Sequence, residues 1–389
     1  MNVLHIVAWD NLGGVCRVVN RVGKHLQSRG HGVHLLLAGE GNWPEPIVSR
    51  EGFPAYRLLL RSPVRHEAPV LSRVAFWLTL PRTLLAIRAI IRRHDIHVVN
   101  VHFPAGNTLG IALMRRAWKI RIVTSVHGSD LLPDGVRRHP APAGLIALLR
   151  ASDAIVVPSD AFGIALHAAW PEIDTARLRT VPNGVDPHEL GYAADADDTT
   201  IAPPYVLSIA HLATYKGVDV LIRAFAAVAG AWPELRLKLV SDGPARADLE
   251  ALATSLGVRS RVDFLGTCER PQVAELLRGC TLFVLPSRSN SESFGIAAAE
   301  AMALDRAVIA SRVGGLPGLI EDGVSGLLVP PGDDAALATA MQHLLTDPAL
   351  RRALGTEAGV RVRRDYPWHT TGSRYEEVFL RVTGLREST

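Results

Sequence analysis

Short apolar segments alternate with helix-length segments along most of this 389-residue chain. The first half predicts strands at residues 3–8, 33–38, 55–60, 98–101, 122–126, 154–157 and 178–181. Between them, helices are predicted at 15–29, 73–94, 108–118, 143–151 and 161–170. Regular alternation of this kind favours an α/β fold with a doubly wound parallel sheet.

The alternation restarts after residues 192–204, a loop-like stretch that is acidic and then contains proline. Strands are predicted at 205–210, 236–241, 262–265, 281–285, 307–311 and 326–329, and helices at 218–231, 245–256, 271–278, 295–303 and 334–346. The chain length also suits about two domains. We therefore expect two facing Rossmann-like domains with a cleft between them, at residues 1–183 and 187–366, and a hinge at 182–186.

Composition indicates how well these domains can be buried and in which compartment they are expected. A hydrophobic fraction of 48% and a mean hydropathy of +0.16 allow well-buried sheets. The first residues form a strand pattern without the features of a signal peptide, and no uninterrupted apolar run is long enough to span a bilayer. Cys16, Cys268 and Cys280 have neither paired nor zinc-type spacing, so we expect reduced thiols and a cytoplasmic protein.

The net charge of +4 and the pI of about 9.1 make the chain mildly basic. This suits an anionic substrate or an anionic membrane surface. No recognised nucleic-acid-binding motif accompanies the charge, so no nucleic-acid partner is expected.

The most informative local segment is Glu292-Ser-Phe-Gly-Ile-Ala-Ala-Ala-Glu300. It follows a predicted strand, Pro286 and a polar loop, and therefore lies at the carboxyl end of a strand, where open α/β sheets bind ligands. A helix beginning near Gly295 would direct backbone N–H groups toward a phosphate. The two carboxylates would accept bonds from sugar hydroxyls, which suggests a nucleotide sugar. Taken alone, two such carboxylates are more often a solvated helix face.

Further motifs occur in a fixed order along the chain, and they are His127-Gly-Ser-Asp130, Pro182-Asn-Gly-Val-Asp186, Lys216-Gly217, Val313-Gly-Gly315, Glu321-Asp-Gly323 and Pro331-Gly-Asp333. Together with the Glu292–Glu300 segment, they resemble the signature of retaining glycosyltransferase family four. The resemblance implies the two-domain GT-B architecture. It also implies that residues 367–389, with a last helix at 371–383, pack back on the first domain.

The resemblance assigns donor-binding positions to this chain, and they are Gly13, Gly14, His211, Lys216, Glu292, Ser293, Phe294, Gly295 and Glu300. It implies that Glu292 contacts the transferred sugar and that Glu300 contacts the ribose. Two positions depart from the family pattern: His211 stands where the family has arginine, and Gly318 stands where it has glutamate. Histidine is only partly charged near neutral pH and cannot bind two phosphate oxygens as arginine does.

The acceptor side is expected in the first domain. His127 follows a predicted strand, and the resemblance implies that it contacts the transferring sugar; the alternative is a structural histidine. Asp130 either meets an acceptor hydroxyl or caps the next segment. His102 and Asn107 are predicted to line the acceptor pocket from another loop at a strand end.

No metal-ligand triad and no Asp-x-Asp pair at a strand end occurs, so the sequence predicts neither a metal nor a cofactor. Leaving-group charge would be stabilised by Lys216, backbone amides and a helix N-terminus. The expected catalytic residues are His127, Lys216 and Glu292. No residue is predicted to be an enzymic nucleophile, and retention would follow from departure and attack on the same face of the sugar.

Residues 71–94 are apolar and carry Trp77 together with Arg73, Arg82, Arg88, Arg92 and Arg93. A second basic group comprises Arg115, Arg116, Lys119 and Arg121. Both resemble elements that bind anionic lipid. The alternative is a helix that packs in the core, with solvated arginines and a division at Pro81.

The combined interpretation is a cytoplasmic, metal-independent, retaining glycosyltransferase that serves polysaccharide biosynthesis, peripheral to the inner face of the membrane if it binds lipid. Its donor would be a UDP- or GDP-sugar, and its acceptor a saccharide or a lipid-linked saccharide. The alternatives are an epimerase or phosphorylase of the same fold, a non-catalytic sensor, and a nucleotide-dependent oxidoreductase. The last is disfavoured because Gly13-Gly-Val-Cys-Arg-Val18 lacks the final glycine of the dinucleotide fingerprint.

Overall fold

The computed structural model describes residues 1–7, 14–41, 43–61, 69–104, 109–118, 120–132, 143–192 and 203–385. The chain forms two compact units. The first unit contains Met1–Pro182 and Trp368–Thr389, and the second contains Asn183–Pro367.

An eight-stranded sheet forms the centre of the first unit, with strand order β3-β4-β2-β1-β5-β6-β7-β8. Its strands are β1 (Asn2–Val7), β2 (Gly32–Ala38), β3 (Glu45–Val48), β4 (Pro54–Leu58), β5 (Val98–His102), β6 (Arg121–Ser125), β7 (Ala154–Val157) and β8 (Leu178–Thr180). The helices between them are α1 (Gly14–Ser28), α2 (Pro69–Arg93), α3 (Leu109–Trp118), α4 (Ala143–Ala151) and α5 (Asp160–Ala169). The central strands are buried on both faces, as expected for a parallel sheet covered by helices.

The sheet of this unit is parallel, as predicted, except at one edge. Strand β3 pairs antiparallel with β4, whereas the other pairings in the sheet are parallel. Its residues are mostly exposed and include Pro46, so it has no apolar run that would predict a strand. Proline is tolerated there because an edge strand has backbone groups that need no ladder partner.

Helix α2 is continuous from Pro69 to Arg93, as the prediction of one helix at 73–94 implied, and the division at Pro81 that belonged to the alternative is not observed. Proline in a helix removes the bond to the carbonyl four residues earlier, which belongs to Trp77. Trp77 itself is 57% exposed. Phe76 and Leu80 are buried and hold the helix in the unit.

The stretch Arg73–Arg93 of α2 is long and apolar enough, by length and composition alone, to cross a bilayer, which the sequence did not predict. Only 28% of its most apolar window is buried within the protein. Core helices of soluble proteins meet the same criterion, so this finding alone does not identify a transmembrane segment.

The second unit contains a six-stranded parallel sheet, with strand order β11-β10-β9-β12-β13-β14. Its strands are β9 (Tyr205–Ile209), β10 (Arg236–Val240), β11 (Val262–Gly266), β12 (Leu282–Leu285), β13 (Val308–Ser311) and β14 (Leu327–Val329). Its helices are α6 (Val218–Ala229), α7 (Arg246–Ser255), α8 (Arg270–Gly279), α9 (Ile296–Ala303), α10 (Leu316–Leu319), α11 (Asp334–Thr346) and α12 (Pro348–Asp365). Helices α10 and α12 were not predicted.

The last helix, α13 (Trp368–Thr383), packs against α1 in the first unit. Gly372 allows close approach, because a Cβ at this position would overlap the imidazole of His25. Glu376 lies 3.1 Å from His25 Nε2 and 2.8 Å from His31 Nε2. Burial would raise the pKa of Glu376, but its bonds to His31 and His25 and the charge of Arg29 hold the pKa below its usual value.

Cys16, Cys268 and Cys280 are all buried, and none forms a disulfide in the structure as described. This agrees with the absence of paired spacing in the sequence. Burial raises the pKa of Cys280 to about 12, so its thiol stays protonated near neutral pH.

Candidate functional site

Three neighbouring strands of the second unit, β9, β12 and β13, bring their carboxyl ends to one edge of the sheet. Lys216 lies in a 3₁₀ turn after β9, Glu292 lies in the loop after β12, and Gly314 follows β13. Because the strands are parallel and adjacent, these loops are neighbours, as the sequence predicted.

Two glycines allow these loops to touch through their backbones. Gly217 has φ 64°, and a Cβ there would overlap the carbonyl oxygen of Pro286. Gly314 has φ 53°, and a Cβ there would overlap the carbonyl oxygen of Glu292. The N–H of Gly315 donates to that same oxygen over 2.9 Å. The position of Glu292 is therefore fixed by its main chain as well as by its side chain.

Lys216 and Glu292 form an ion pair at the centre of this edge. Lys216 Nζ donates to Glu292 Oε2 over 2.7 Å, and Ser287 Oγ donates to the same oxygen over 2.8 Å. Burial would raise the pKa of Glu292, but the charge and bond of Lys216 and the bond from Ser287 hold it below its usual value. Burial would lower the pKa of Lys216, but Glu292 raises it. Both groups are therefore charged near neutral pH.

Helix α9 begins beside this pair. Gly295 precedes the helix with φ 90°, and its N–H bonds to the Glu292 carboxylate and lowers the pKa of that group further. Phe294 is buried and packs edge-on against Tyr366, with ring centroids 5.3 Å apart. Ser293 is also buried, so the turn before α9 is packed within the second unit.

Glu300 lies on α9 and is only 4% exposed. Its Oε1 lies 2.8 Å from Nη2 of Arg270, at the start of α8. Sequence reasoning missed Arg270, because it is distant in the chain from Glu300 and belongs to a different element.

His211 is exposed and lies in the loop after β9. The residue that follows it, Leu212, donates its N–H to the Asp242 carbonyl over 3.0 Å. Another cation lies near Lys216 and was not predicted. Arg288 donates to Asp219 over 2.6 Å, and its backbone N–H donates to the carbonyl of Tyr215 over 2.8 Å. The loop that carries Lys216 therefore has an arginine beside it, contributed by the loop after β12.

Gly318, the other departure from the family pattern, lies in the short helix α10. Its carbonyl accepts bonds from Arg361 Nη2 and from the Tyr366 hydroxyl, both over 3.2 Å. This position therefore offers a backbone carbonyl to its neighbours and no carboxylate.

In the first unit, three histidines form a histidine cluster, which consists of His5, His102 and His127. His5 Nδ1 lies 3.0 Å from His102 Nε2, and His102 Nδ1 lies 3.2 Å from His127 Nε2. Burial lowers the pKa of His5 to about 3 and that of His127 to about 4. His102 has a pKa well below its usual value because it is buried and has the other two histidines beside it. The cluster is therefore neutral near pH 7.

The placement of His102 corrects the sequence-based expectation of a loop position. His102 is the last residue of β5 and is 2% exposed. Its side chain lies between His5 and His127, because parallel strands β1, β5 and β6 are adjacent in the sheet. Contact of His102 with an acceptor stays a prediction.

The carboxylate of Asp130 accepts backbone N–H bonds from His127, Gly128 and Leu131, at distances between 2.8 and 3.2 Å. Burial raises its pKa to about 6, and these backbone bonds oppose the rise. These bonds close the turn around Asp130, and both capping of the next segment and contact with an acceptor hydroxyl remain predictions.

Gly13 and Asn107 lie outside the described residues. Gly14 is exposed and is the first residue of α1. Within the part of the chain that the structure describes, no group of three or more histidine, cysteine, aspartate or glutamate side chains is placed to hold a metal ion.

The basic group predicted at residues 115–121 is partly engaged inside the unit. Arg115 and Arg121 both pair with Asp153, at 2.6 and 3.2 Å. Lys119 and the side chain of Arg116 lie outside the described parts.

Helix α2 carries several apolar residues that are more than half exposed, and they are Leu71, Val74, Trp77, Leu78 and Leu85.

Comparison with known proteins now tests the family resemblance. Residues 12–189 match the family model described as Glycosyltransferase Family 4, and residues 197–360 match the model described as Glycosyl transferases group 1. A D-inositol 3-phosphate glycosyltransferase of Catenulispora acidiphila is 34% identical over 71% of this chain and 70% of its own length. This chain belongs to glycosyltransferase family four.

Other relatives of this glycosyltransferase match more of its length. N-acetyl-alpha-D-glucosaminyl L-malate synthase of Bacillus anthracis is 28% identical over 97% of this chain and 96% of that protein. A GDP-mannose-dependent alpha-(1-6)-phosphatidylinositol monomannoside mannosyltransferase of Mycolicibacterium smegmatis is 30% identical over 80% and 83%.

Solved structures confirm the GT-B fold of this glycosyltransferase. Sucrose-phosphate synthase of Thermosynechococcus elongatus has a TM-score of 0.81 and 24% identity, and the match covers 98% of this chain and 99% of that one. Anabaena Alr3699/HepE, solved with UDP-glucose, has a TM-score of 0.76 and 20% identity, with coverage of 97% and 98%.

Proposed function

We propose that this glycosyltransferase is a retaining, metal-independent enzyme that moves a sugar from a nucleoside-diphosphate sugar to a saccharide or lipid-linked saccharide. The observation that carries the proposal is the Lys216–Glu292 pair at the N-terminal end of α9. It combines a cation, helix N–H groups and a carboxylate at one edge of a parallel sheet. These are the groups that a diphosphate and a sugar require.

The diphosphate would be bound by Lys216 and the N-terminus of α9. An ammonium group has three N–H donors, and Glu292 accepts only one of them in the structure. The remaining donors can bind phosphate oxygens while the carboxylate keeps the ammonium oriented. Arg288 supports this role by adding positive charge near the loop that lacks the family arginine at position 211.

The two glutamates would divide the recognition of the donor. Glu300 would accept a ribose hydroxyl, with Arg270 fixing the direction of its carboxylate over 2.8 Å. Glu292 would accept a hydroxyl of the transferring sugar and help to position its anomeric carbon. In transfer, the leaving phosphate would take the acceptor proton, so that no enzymic nucleophile is required.

The relatives support the choice of donor and acceptor classes. One is named as GDP-mannose-dependent, and one solved structure contains UDP-glucose. Relatives are also named for inositol 3-phosphate and for phosphatidylinositol monomannoside. A UDP- or GDP-sugar and a hydroxyl-rich acceptor, free or lipid-linked, are accordingly proposed here.

Calorimetry with UDP and GDP tests the donor site. Glu300→Gln should weaken binding of the preferred diphosphate by about 1.5–3 kcal/mol, because a charged hydrogen bond to ribose is lost. The matched control is Glu275→Gln on the exposed face of α8, which should bind like wild type. Equal affinity of all three proteins for the diphosphate would refute the role of Glu300.

Product analysis tests the reaction itself. With the preferred donor and an acceptor, NMR should show the anomeric configuration of the donor kept in the product. EDTA should leave the rate unchanged if no metal takes part. Conversion of the donor without transfer would instead indicate an epimerase, and an inverted product would refute retention.

A lipid-linked acceptor would be reached through the exposed apolar face of α2. We propose that this face, with the arginines of the same helix, binds peripherally to the surface of an anionic membrane. The membrane surface proposed is the inner face of the cytoplasmic membrane, which carries anionic lipid. Leu78→Ser should reduce sedimentation with vesicles that contain anionic lipid. The matched control is Ile164→Ser on α5, since Leu78 and Ile164 are 77% and 73% exposed. Equal sedimentation of both variants and wild type would remove this proposal.

A further inference from the structure

We propose that Asn100, Ser125, Tyr375 and His102 are positioning residues that hold His127 as the tautomer with its proton on Nδ1. Only the consequence for transfer rests on the proposed function, in which His127 contacts the sugar. The tautomer itself follows from a continuous set of hydrogen bonds within the first unit.

The set of hydrogen bonds begins at Asn100, which is fully buried in β5. Its Oδ1 accepts a bond from Ser125 Oγ over 2.9 Å. An amide oxygen cannot donate, so the serine proton is used here. The Tyr375 hydroxyl therefore donates to Ser125 Oγ, over 3.3 Å. With Oδ1 bonded to Ser125, the NH₂ group of Asn100 lies toward the histidines.

The NH₂ group of Asn100 lies 2.9 Å from His102 Nε2. An amide nitrogen can only donate, so His102 Nε2 accepts and carries no proton. In a neutral imidazole the proton is then on Nδ1. His102 Nδ1 lies 3.2 Å from His127 Nε2 and donates to it. His127 Nε2 is thus unprotonated, and its proton is on Nδ1.

His5 provides an independent check on this assignment. Its Nδ1 lies 3.0 Å from the unprotonated His102 Nε2, so His5 Nδ1 must carry the proton to avoid facing one lone pair with another. His5 Nε2 should then be an acceptor. That atom is buried and has no hydrogen-bond partner within the described residues, which suits an acceptor. The reverse orientation of the Asn100 amide would place an unsatisfied N–H there, which costs more. Asn100 Nδ2 also lies 3.4 Å from His5 Nδ1.

The low pKa values of the histidine cluster keep all three rings neutral near pH 7. Under these conditions, the rings differ only in which nitrogen holds the proton. A hydrogen bond that His127 makes to a ligand through Nδ1 must therefore be donated. Such a bond selects an oxygen that accepts, such as a sugar hydroxyl. Helix α13 contributes to this selection through Tyr375.

Nitrogen NMR of protein labelled with ¹⁵N-histidine tests the inference without any substrate. The His127 resonances are identified by their loss in His127→Gln. We expect a protonated Nδ1 and an unprotonated Nε2. A protonated Nε2 would mean that the Asn100 amide has the reverse orientation, and it would overturn the proposal.

A variant pair separates positioning from general stability. Ser125→Ala removes the bond that orients Asn100, so His127 should become a mixture of both tautomers. The matched control is Thr124→Val on the same strand, which removes a buried bond of 2.7 Å to Ser152 and leaves the histidine cluster intact. Both variants should lower the Tm, but only Ser125→Ala should change the tautomer. Ser125→Thr should restore it. An unchanged tautomer in Ser125→Ala would overturn the proposal.

Kinetics then report separately on the proposed function. If half of the molecules hold the wrong tautomer, the apparent affinity for the sugar donor should fall about twofold in Ser125→Ala. Ser125→Thr and Thr124→Val should behave like wild type. A tautomer change without any change in KM or kcat would support the positioning network and count against contact between His127 and the sugar.

Discussion

The ion pair between Lys216 and Glu292 should stabilise the second unit only as a pair. Glu292→Gln keeps the shape of the side chain and lets its amide oxygen accept from Ser287. It leaves the ammonium of Lys216, whose side chain is 18% exposed, without its carboxylate. Removing one partner of a buried pair costs about 3–5 kcal/mol. Because the ammonium keeps some contact with water, we expect about 3 kcal/mol, toward the lower end of that range.

Lys216→Met removes the other partner. Glu292 then keeps its bonds from Ser287 and from the Gly295 N–H, so the loss should be about 2 kcal/mol, near the value of one charged hydrogen bond. The double variant contains no uncompensated charge and should lose about 2 kcal/mol or less. With these losses, the double-mutant cycle should give a coupling energy of about 3 kcal/mol or more.

Hydrogen exchange by mass spectrometry is the suitable measurement, because peptides from β12 and α9 report the opening free energy of the second unit alone. The control cycle uses Arg246 and Glu250 on α7, which pair over 3.0 Å with both side chains about one-third exposed. Because both side chains face solvent, their coupling should be much weaker than that of Lys216 and Glu292. Losses for Lys216 and Glu292 that add within about 0.5 kcal/mol would contradict a direct coupling of the two charges.

The same pair predicts the direction of a pH effect. The pKa of folded Glu292 lies below its ordinary value of 4.5. Its contribution to stability is therefore complete above pH 4.5 and is lost as the pH falls through the folded pKa. Wild type should lose this part of its stability in acid, whereas Glu292→Gln should not. Identical acid profiles for the two proteins would contradict the lowered pKa.

Three further outcomes are expected. Glu376→Gln should weaken the docking of α13 and increase hydrogen exchange in peptides from α13 at pH 7. The difference from wild type should shrink as the pH falls through the lowered pKa of Glu376. Equal exchange in the two proteins at pH 7 would contradict this prediction. Gly217→Ala should lower the free energy of unfolding by at least about 1–3 kcal/mol, because Gly217 has a left-handed backbone. The control Gly230→Ala should be tolerated, because Gly230 has φ −63° and no atom lies near the added Cβ. Calorimetric unfolding measures both effects. His211→Arg should keep or improve donor affinity and His211→Ala should lower it, and equal affinity of His211→Ala and wild type would remove the charge role of His211.

The sequence predicted the strands well where all their residues are buried. Strand β5 is an example, since each of its residues is buried and the apolar run stands out. Helix α12 was missed because Gly355 and Gly359 lie in its interior, and glycine disfavours helices. Both glycines face Asp305, where a Cβ would overlap its backbone or carboxylate. Packing therefore selects glycine there, against helix propensity.

The candidate donor site was predictable in outline. Residues at the carboxyl ends of adjacent parallel strands must be neighbours, so Lys216 and Glu292 could be placed together. Their direct pairing could not be derived, because side-chain contacts depend on loop conformation. Arg270 and Tyr375 gave no local signal, since each acts on a partner from a distant part of the chain.

The placement of α13 has a consequence for biosynthesis. The second unit is one continuous stretch and can complete its core as soon as it leaves the ribosome. The first unit starts earlier but needs Tyr375 and Phe379, which are synthesised after the whole second unit and are both buried within the first. The nascent chain must therefore keep the core of its N-terminal unit incomplete until α13 has been synthesised. A chain released early would expose the face of α1 that α13 covers, which makes chaperone binding to truncated chains a direct consequence of this topology.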